Sequence, residues 1–152
     1  MAGGPLEGVK IIDMTSVVVG PLATQTFADH GADVIKVEAP GGDIVRFLAG
    51  RGRTPGMSGK FLHLNRNKRS LVLDLKKPGA YDALMQLLKT ADVLIWNMRP
   101  PAMARLKLSY EDVCRINPKI IYCGMFGFGQ DGRYRDKPAY DSIIQGSAGI
   151  AA

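Results

Sequence analysis

Short apolar runs alternate along this chain with helical patterns and breaker clusters, and that alternation limits the fold more than any other feature. Val9-Lys-Ile-Ile-Asp13 is a brief apolar run ending in an acid, the pattern of a strand buried on both faces of a parallel sheet. Thr15 to Gly20 reads as a turn. Pro21 suits the first turn of a helix running to about Asp29, and Gly31 stops it. Asp33-Val-Ile-Lys-Val37 is the next strand, followed by Glu38 and the breakers Ala39-Pro-Gly-Gly42. Strand, helix and strand within roughly thirty residues predict a right-handed βαβ unit.

Residues 39–60 are rich in Gly, Pro and Arg without a sustained period, so they are expected to form a long loop with a helical turn near Ile44 to Leu48. A loop of that length inside a domain is usually functional or mobile. Ser70 to Leu75 alternates like a strand, and Pro78 opens a helix whose Tyr81, Leu84, Met85 and Leu88 form an apolar stripe. Ala91 to Trp96 is another buried strand, with Trp96 in the core, and a short helical piece near Ala102 to Leu106 follows Pro100-Pro101. Ser109 and Asp112 have capping-box spacing and start a helix that Glu111 and Arg115 support and Asn117-Pro118 ends. Lys119 to Cys123 is the last strand. The whole predicts an α/β chain with a doubly wound, mostly parallel sheet and ligands at the carboxyl ends of its strands.

The 152 residues suit one domain. Much of the net charge of +6 comes from Lys60 to Arg69 and Arg133 to Lys137. Solvated surface charge, a phosphate-bearing small ligand and nucleic acid all fit such a balance. Nucleic acid is disfavoured, because the basic stretches lack interleaved aromatics and no helix-turn-helix or finger pattern occurs. Lys68-Arg69 reads as a solvated basic pair or a phosphate steer. No apolar run is long enough to span a bilayer, and the first residues lack a signal peptide's pattern. Cys114 and Cys123 suggest neither a disulfide framework nor a metal site. A cytoplasmic protein without membrane or metal is therefore expected. His30 falls at a helix end, where it complements the dipole, and His63 among apolar residues reads as structural.

Gly127-Phe-Gly129-Gln-Asp-Gly132 matches G-x-G-x-x-G after a strand, and Glu38 could pass for a ribose-binding acid. That motif needs a helix directly after its glycines to face a pyrophosphate. Arg133 to Pro138 shows no helical period, and Glu38 lies upstream. A plain glycine turn or an acyl-ligand loop is the better reading. In Pro138 to Gly149, Asp141 sits among small and amide residues, which suits either a solvated carboxylate or an acid beside a closely approaching ligand.

Taken in order, Leu6 to Asp13, Gly20-Pro21, Gly31 to Glu38, Gly42-Asp43 with Arg46, Asn65 to Leu75, Ala91 to Asn97, Asn117-Pro118, Gly127 to Gly129 and Tyr140-Asp141 resemble the class III CoA-transferases, the CaiB/BaiF family. The resemblance implies an enzyme that moves CoA between carboxylic acids through an aspartyl-CoA thioester. It further implies an interlocked homodimer and a Rossmann-like CoA-binding domain built from both chain ends. By motif, Val17 and Val18 should lie against the adenine, and Leu73 and Lys76 should border the nucleotide. Asn97 and Met98 should line the CoA path, and Arg105 should reach a phosphate. Cations at such places suit a phosphate dianion.

Some positions depart from the family. Formyl-CoA-transferase-like members have a polar amide where Val18 stands and an arginine where Ala39 stands. A lysine expected near the active-site loop falls at Pro138, and the adjoining Lys137 is the candidate in its place. Racemase-type members carry a histidine at Tyr140, so its absence disfavours the alternative of 2-methylacyl-CoA racemisation. Asp141 corresponds to an assisting acid, while the nucleophilic aspartate would lie beyond Ala152. The chain is thus expected to be the N-terminal CoA-binding part of the large domain, lacking the small domain and the C-terminal return. On its own it would be inactive, or a non-catalytic CoA binder.

Overall fold

The computed structural model describes residues 3–48, 50 and 52–150. Strand β1 (Lys10–Met14) leads into helix α1 (Val19–Asp29) and strand β2 (Asp33–Glu38), the predicted βαβ unit. Gly20 is needed at the start of α1, because a Cβ there would lie 2.3 Å from that of Thr15. At the other end Gly31 takes φ +97°, its N–H bonds Ala28 O, and the Ala32 N–H bonds Phe27 O. That is the Schellman geometry that lets glycine stop a helix.

The long loop after β2 contains a 3-10 turn at Ile44–Arg46, as expected, and also a helix that the sequence reading missed, α2 (Gly59–Asn65). Ser58 caps α2 by accepting the Phe61 N–H at 3.1 Å, and Phe61 and Leu64 are buried beside Val45. Strand β3 (Arg69–Val72) is shorter than expected and starts earlier. Helix α3 (Pro78–Thr90), strand β4 (Val93–Trp96), helix α4 (Pro100–Arg105), helix α5 (Tyr110–Ile116) and strand β5 (Ile121–Gly124) follow the predicted order. The capping box at Ser109 and Asp112 forms in both directions. Residues 133–140 run as turns and irregular chain after Gly132, so no helix faces the glycine motif. Helix α6 (Asp141–Ser147) ends the described chain and buries none of its residues.

All strand pairs are parallel and the order is β3-β2-β1-β4-β5. Alternation along each strand divides the core into two layers. Ile11, Val34 and Ile95 pack with Ala28 and Ala32 around α1. Ile12, Met14, Leu94 and Trp96 pack on the other face with Leu84, Leu88, Met103 and Val113 from α3, α4 and α5. Leu84 and Leu88 are fully buried, each contributing about 1.5–3 kcal/mol of burial. Successive strands are added towards one side from β1 to β3 and towards the other from β4 to β5, and that switch between β1 and β4 places a crevice at their carboxyl ends.

Candidate functional site

Asp13, near the end of β1, is fully buried on the α1 side, where an apolar residue would be usual. It pairs across the sheet with Lys36 in β2, while Lys68 reaches it from beyond α2 at 3.0 Å. Thr15 and Thr24 donate their hydroxyls to the same carboxylate at 2.5 and 2.6 Å. Burial raises the Asp13 pKa, but Lys68, Lys36 and the two hydroxyls outweigh it and hold the carboxyl below its ordinary value. Burial also lowers the Lys68 ammonium pKa, only partly offset by Asp13. Lys68 further donates to Pro21 O at 2.8 Å and to Asn65 Oδ1 at 2.9 Å. This corrects the reading of Lys68 as solvated or free to steer phosphate. Arg69 instead pairs with Asp33 at the surface.

A second charged layer lies one residue pair further along the strands. Lys36 meets Asp43 at 3.2 Å with both side chains buried. Glu38 takes two bonds from Arg46, at 2.8 and 2.5 Å, and one from the Asp43 N–H at 2.8 Å. Burial pushes the Glu38 carboxyl up, but Arg46 and that backbone N–H bring it below its ordinary range. Between the layers runs the turn after β1. The Val17 N–H donates to Asp43 at 3.2 Å, and the Asn97 side chain bonds both the N–H and the C=O of Ser16, at 3.0 and 2.9 Å.

Beyond these layers a cleft of about 330 Å³ opens at the carboxyl ends of the strands. Met14, Thr15, Val37, Leu73, Leu75 and Met98 give it mainly apolar walls, and Lys76 and Asp74 stand on its rim. Three of the sequence-predicted residues, Leu73, Lys76 and Met98, therefore come together here. Asn97 acts one step away, by fixing Ser16. Arg105 is exposed at the end of α4, next to Leu106, which lines the cleft. Val17 adopts φ +72° and is partly exposed, while Val18 packs on the Val45, Phe61 and Leu64 cluster. Asp141 and Lys137 do not line the cleft. Asp141 is exposed at the first position of α6, and Lys137 lies over the Tyr134 ring, 4.0 Å from its centroid.

Lys36, Asp43, Glu38 and Arg46 are the members that sequence reasoning did not assign as site residues. The signal was present as charged residues at strand positions that should be apolar, Asp13 and Lys36, but their partners are distant in sequence. A second hollow, of about 690 Å³, is lined by Trp96, Met103, Tyr110, Tyr122 and Phe126 and contains none of the predicted residues. Among the described residues no His, Cys, Asp or Glu cluster is placed to hold a metal ion, and no helix is long and apolar enough to cross a membrane.

A mainly apolar slot at the turning point of a parallel sheet, with Lys76 and Asp74 on its rim and with Asp43 and Glu38 at its wall paired to Lys36 and Arg46, suits a flat heterocycle. Comparison with known proteins bears on the same region. The model of CoA-transferase family III matches residues 6–152. Succinate–glutarate CoA-transferase of Agrobacterium fabrum is 44% identical over 152 residues, covering 96% of this chain and 38% of that protein. Acetyl-CoA:oxalate CoA-transferase of Acetobacter aceti is 43% identical over 149 residues, covering 97% and 38%. The crystal structure of a CAIB/BAIF family protein from Brucella suis superposes with a TM-score of 0.90 at 37% identity, covering 97% of this chain and 40% of that one. The chain thus spans about two fifths of the length of the relatives it matches. On that match and on its all-parallel fold, the chain belongs to CoA-transferase family III.

Proposed function

We propose that this chain is the nucleotide-binding part of an enzyme that transfers CoA between carboxylic acids. The observation that carries the reading is the cleft: Leu73 and Lys76, after β3, and Met98, after β4, all named from family motifs alone, converge on it. In this reading the adenine lies between the Ser16–Val18 turn and Leu73, and Lys76 and Arg105 take phosphate oxygens through charge-assisted bonds. Met98 supplies an adaptable wall along the CoA path. Asp141 serves as an assisting acid and Lys137 as a nearby cation once α6 is packed against further polypeptide. The attacking aspartate comes from outside the matched residues, in the kind of segment that makes up the rest of the relatives' length. The enzyme works as a homodimer in the cytoplasm and uses no metal. Relatives named for succinate, glutarate and oxalate support small carboxylic acids as partners in the exchange.

The chemistry needs a carboxylate that attacks the thioester carbonyl and expels the CoA thiolate, forming a mixed anhydride. The thiolate then attacks the aspartyl carbonyl, which releases the donor acid and leaves CoA as an aspartyl thioester. The test follows the protein at its relatives' length with an acyl-CoA and a free acid, by transfer rate and by peptide mass. Transfer together with CoA mass on one aspartate is expected. Neither transfer nor adduct with any mono- or dicarboxylic acid would overturn the proposal.

A further inference from the structure

We propose that Lys36 and Asp43 are positioning residues for the bound nucleotide, acting through the backbone turn at Val17. The inference rests on the reading of the cleft given above. Val17 stands at φ +72°, a left-handed conformation that a β-branched side chain adopts only where its surroundings impose it. Both Asp43 oxygens accept from the Val17 N–H at 3.2 Å, and Oδ1 also accepts from the Val45 N–H at 3.1 Å.

Lys36 completes the clamp. Its ammonium donates to Thr15 O at 2.9 Å and meets Asp43 Oδ2 at 3.2 Å. One buried pair therefore grips the turn on both sides of Ser16, while Asn97 holds Ser16 itself. Asp43 is in turn fixed by its N–H bond to Glu38, which Arg46 locks. The pair has a second consequence. Asp43 borders the cleft, and without Lys36 its carboxylate would face an anionic ligand unneutralised. Thr15 and Ser16 form a wall of the cleft, so the turn's shape sets the surface offered to the ligand. A preformed wall spares the ligand the cost of ordering it.

The test uses variants that strand no buried charge. Lys36→Met with Asp43→Ala removes the clamp and the acceptor, and Lys36→Met with Asp43→Asn keeps an oxygen for the Val17 N–H. A third variant adds Val17→Gly to the first, since glycine takes positive φ without strain. Two quantities are read on each folded variant: the exchange rate of the Val17 amide hydrogen, and the Kd for CoA. The alanine variant is expected to lose Val17 protection and to weaken CoA at least about tenfold, or about 1.4 kcal/mol. The asparagine variant keeps an acceptor for the Val17 N–H but loses the Lys36 bond to Thr15 O, so it should recover part of the loss and no more, and Val17→Gly should likewise recover part of it. Unchanged Val17 exchange and unchanged Kd in the alanine variant would overturn the proposal. So would a loss of affinity that neither asparagine nor glycine recovers, which would mark a purely structural pair. If the wild type itself fails to bind CoA, the nucleotide reading of the cleft falls, and with it the ligand-positioning role. The Val17 exchange rates then show separately whether the clamp exists.

Discussion

At the scale of single residues, the buried charges dominate. Lys68→Met removes the cation nearest Asp13 and leaves that carboxylate short of compensation, so about 3–5 kcal/mol of stability should be lost in urea unfolding. Arg69→Ala breaks a pair exposed at 65% and 43% and should cost under about 1 kcal/mol in the same assay. Acid should act on the same network. The Asp13 and Glu38 carboxyls titrate lower in the folded chain than their ordinary values of 3.8 and 4.5. The stability they lend is therefore present above those values and is lost as the pH falls through the folded ones. A melting series from pH 6 to 3 should show a drop that Lys68→Met, already lacking the pair, shows to a smaller extent. The sequence disclosed Lys68 only as one of several neighbouring cations. Its partner lies 55 positions away, and no local pattern joins them.

At the scale of elements, local patterns went far. The central strands β1, β2 and β4 were legible because each is a short apolar run buried on both faces, and α3 because its stripe repeats at the helical period, whereas the pattern sets the wrong bounds for the half-exposed edge strand β3. Ser109→Ala removes the hydroxyl arm of the α5 capping box, leaving the Ser109 N–H bonded to Asp112, and should cost about 1 kcal/mol, seen as a lower Tm. Gly20→Ala should be worse, since its Cβ would collide with Thr15; a sharp loss of folded yield would show it. Helix α2 escaped the reading because its seven residues bury only Phe61 and Leu64, too few to show a period among glycines and cations. Helix α6 escaped for a related reason. Nothing described packs on it closely enough to bury a residue, and its sequence shows small and polar residues without a core stripe.

At the scale of the whole molecule, strand order decides where chemistry can occur. Parallel strands deliver Met14, Leu73, Asn97 and Met98 to one edge of the sheet, and the switch between β1 and β4 opens the cleft there. Met14 ends β1, and Leu73, Asn97 and Met98 follow β3 and β4, but in the sequence those three stood out through family motifs and not through strand position. Asp141 and Lys137 were legible only as motif positions, and the structure leaves both on an exposed segment away from the cleft. The strands at the sheet's two edges, β3 and β5, expose Val72 at 56% and Ile121 at 63%. Apolar side chains on open edges favour association, so light scattering of the 152-residue chain should show self-association that rises with concentration. The most direct measurement of the central claim is amide NMR of that chain titrated with CoA. Shifts centred on Ser16, Leu73, Lys76 and Met98 are predicted. Shifts confined to the hollow beside Trp96 and Tyr122, or none at millimolar CoA, would contradict it.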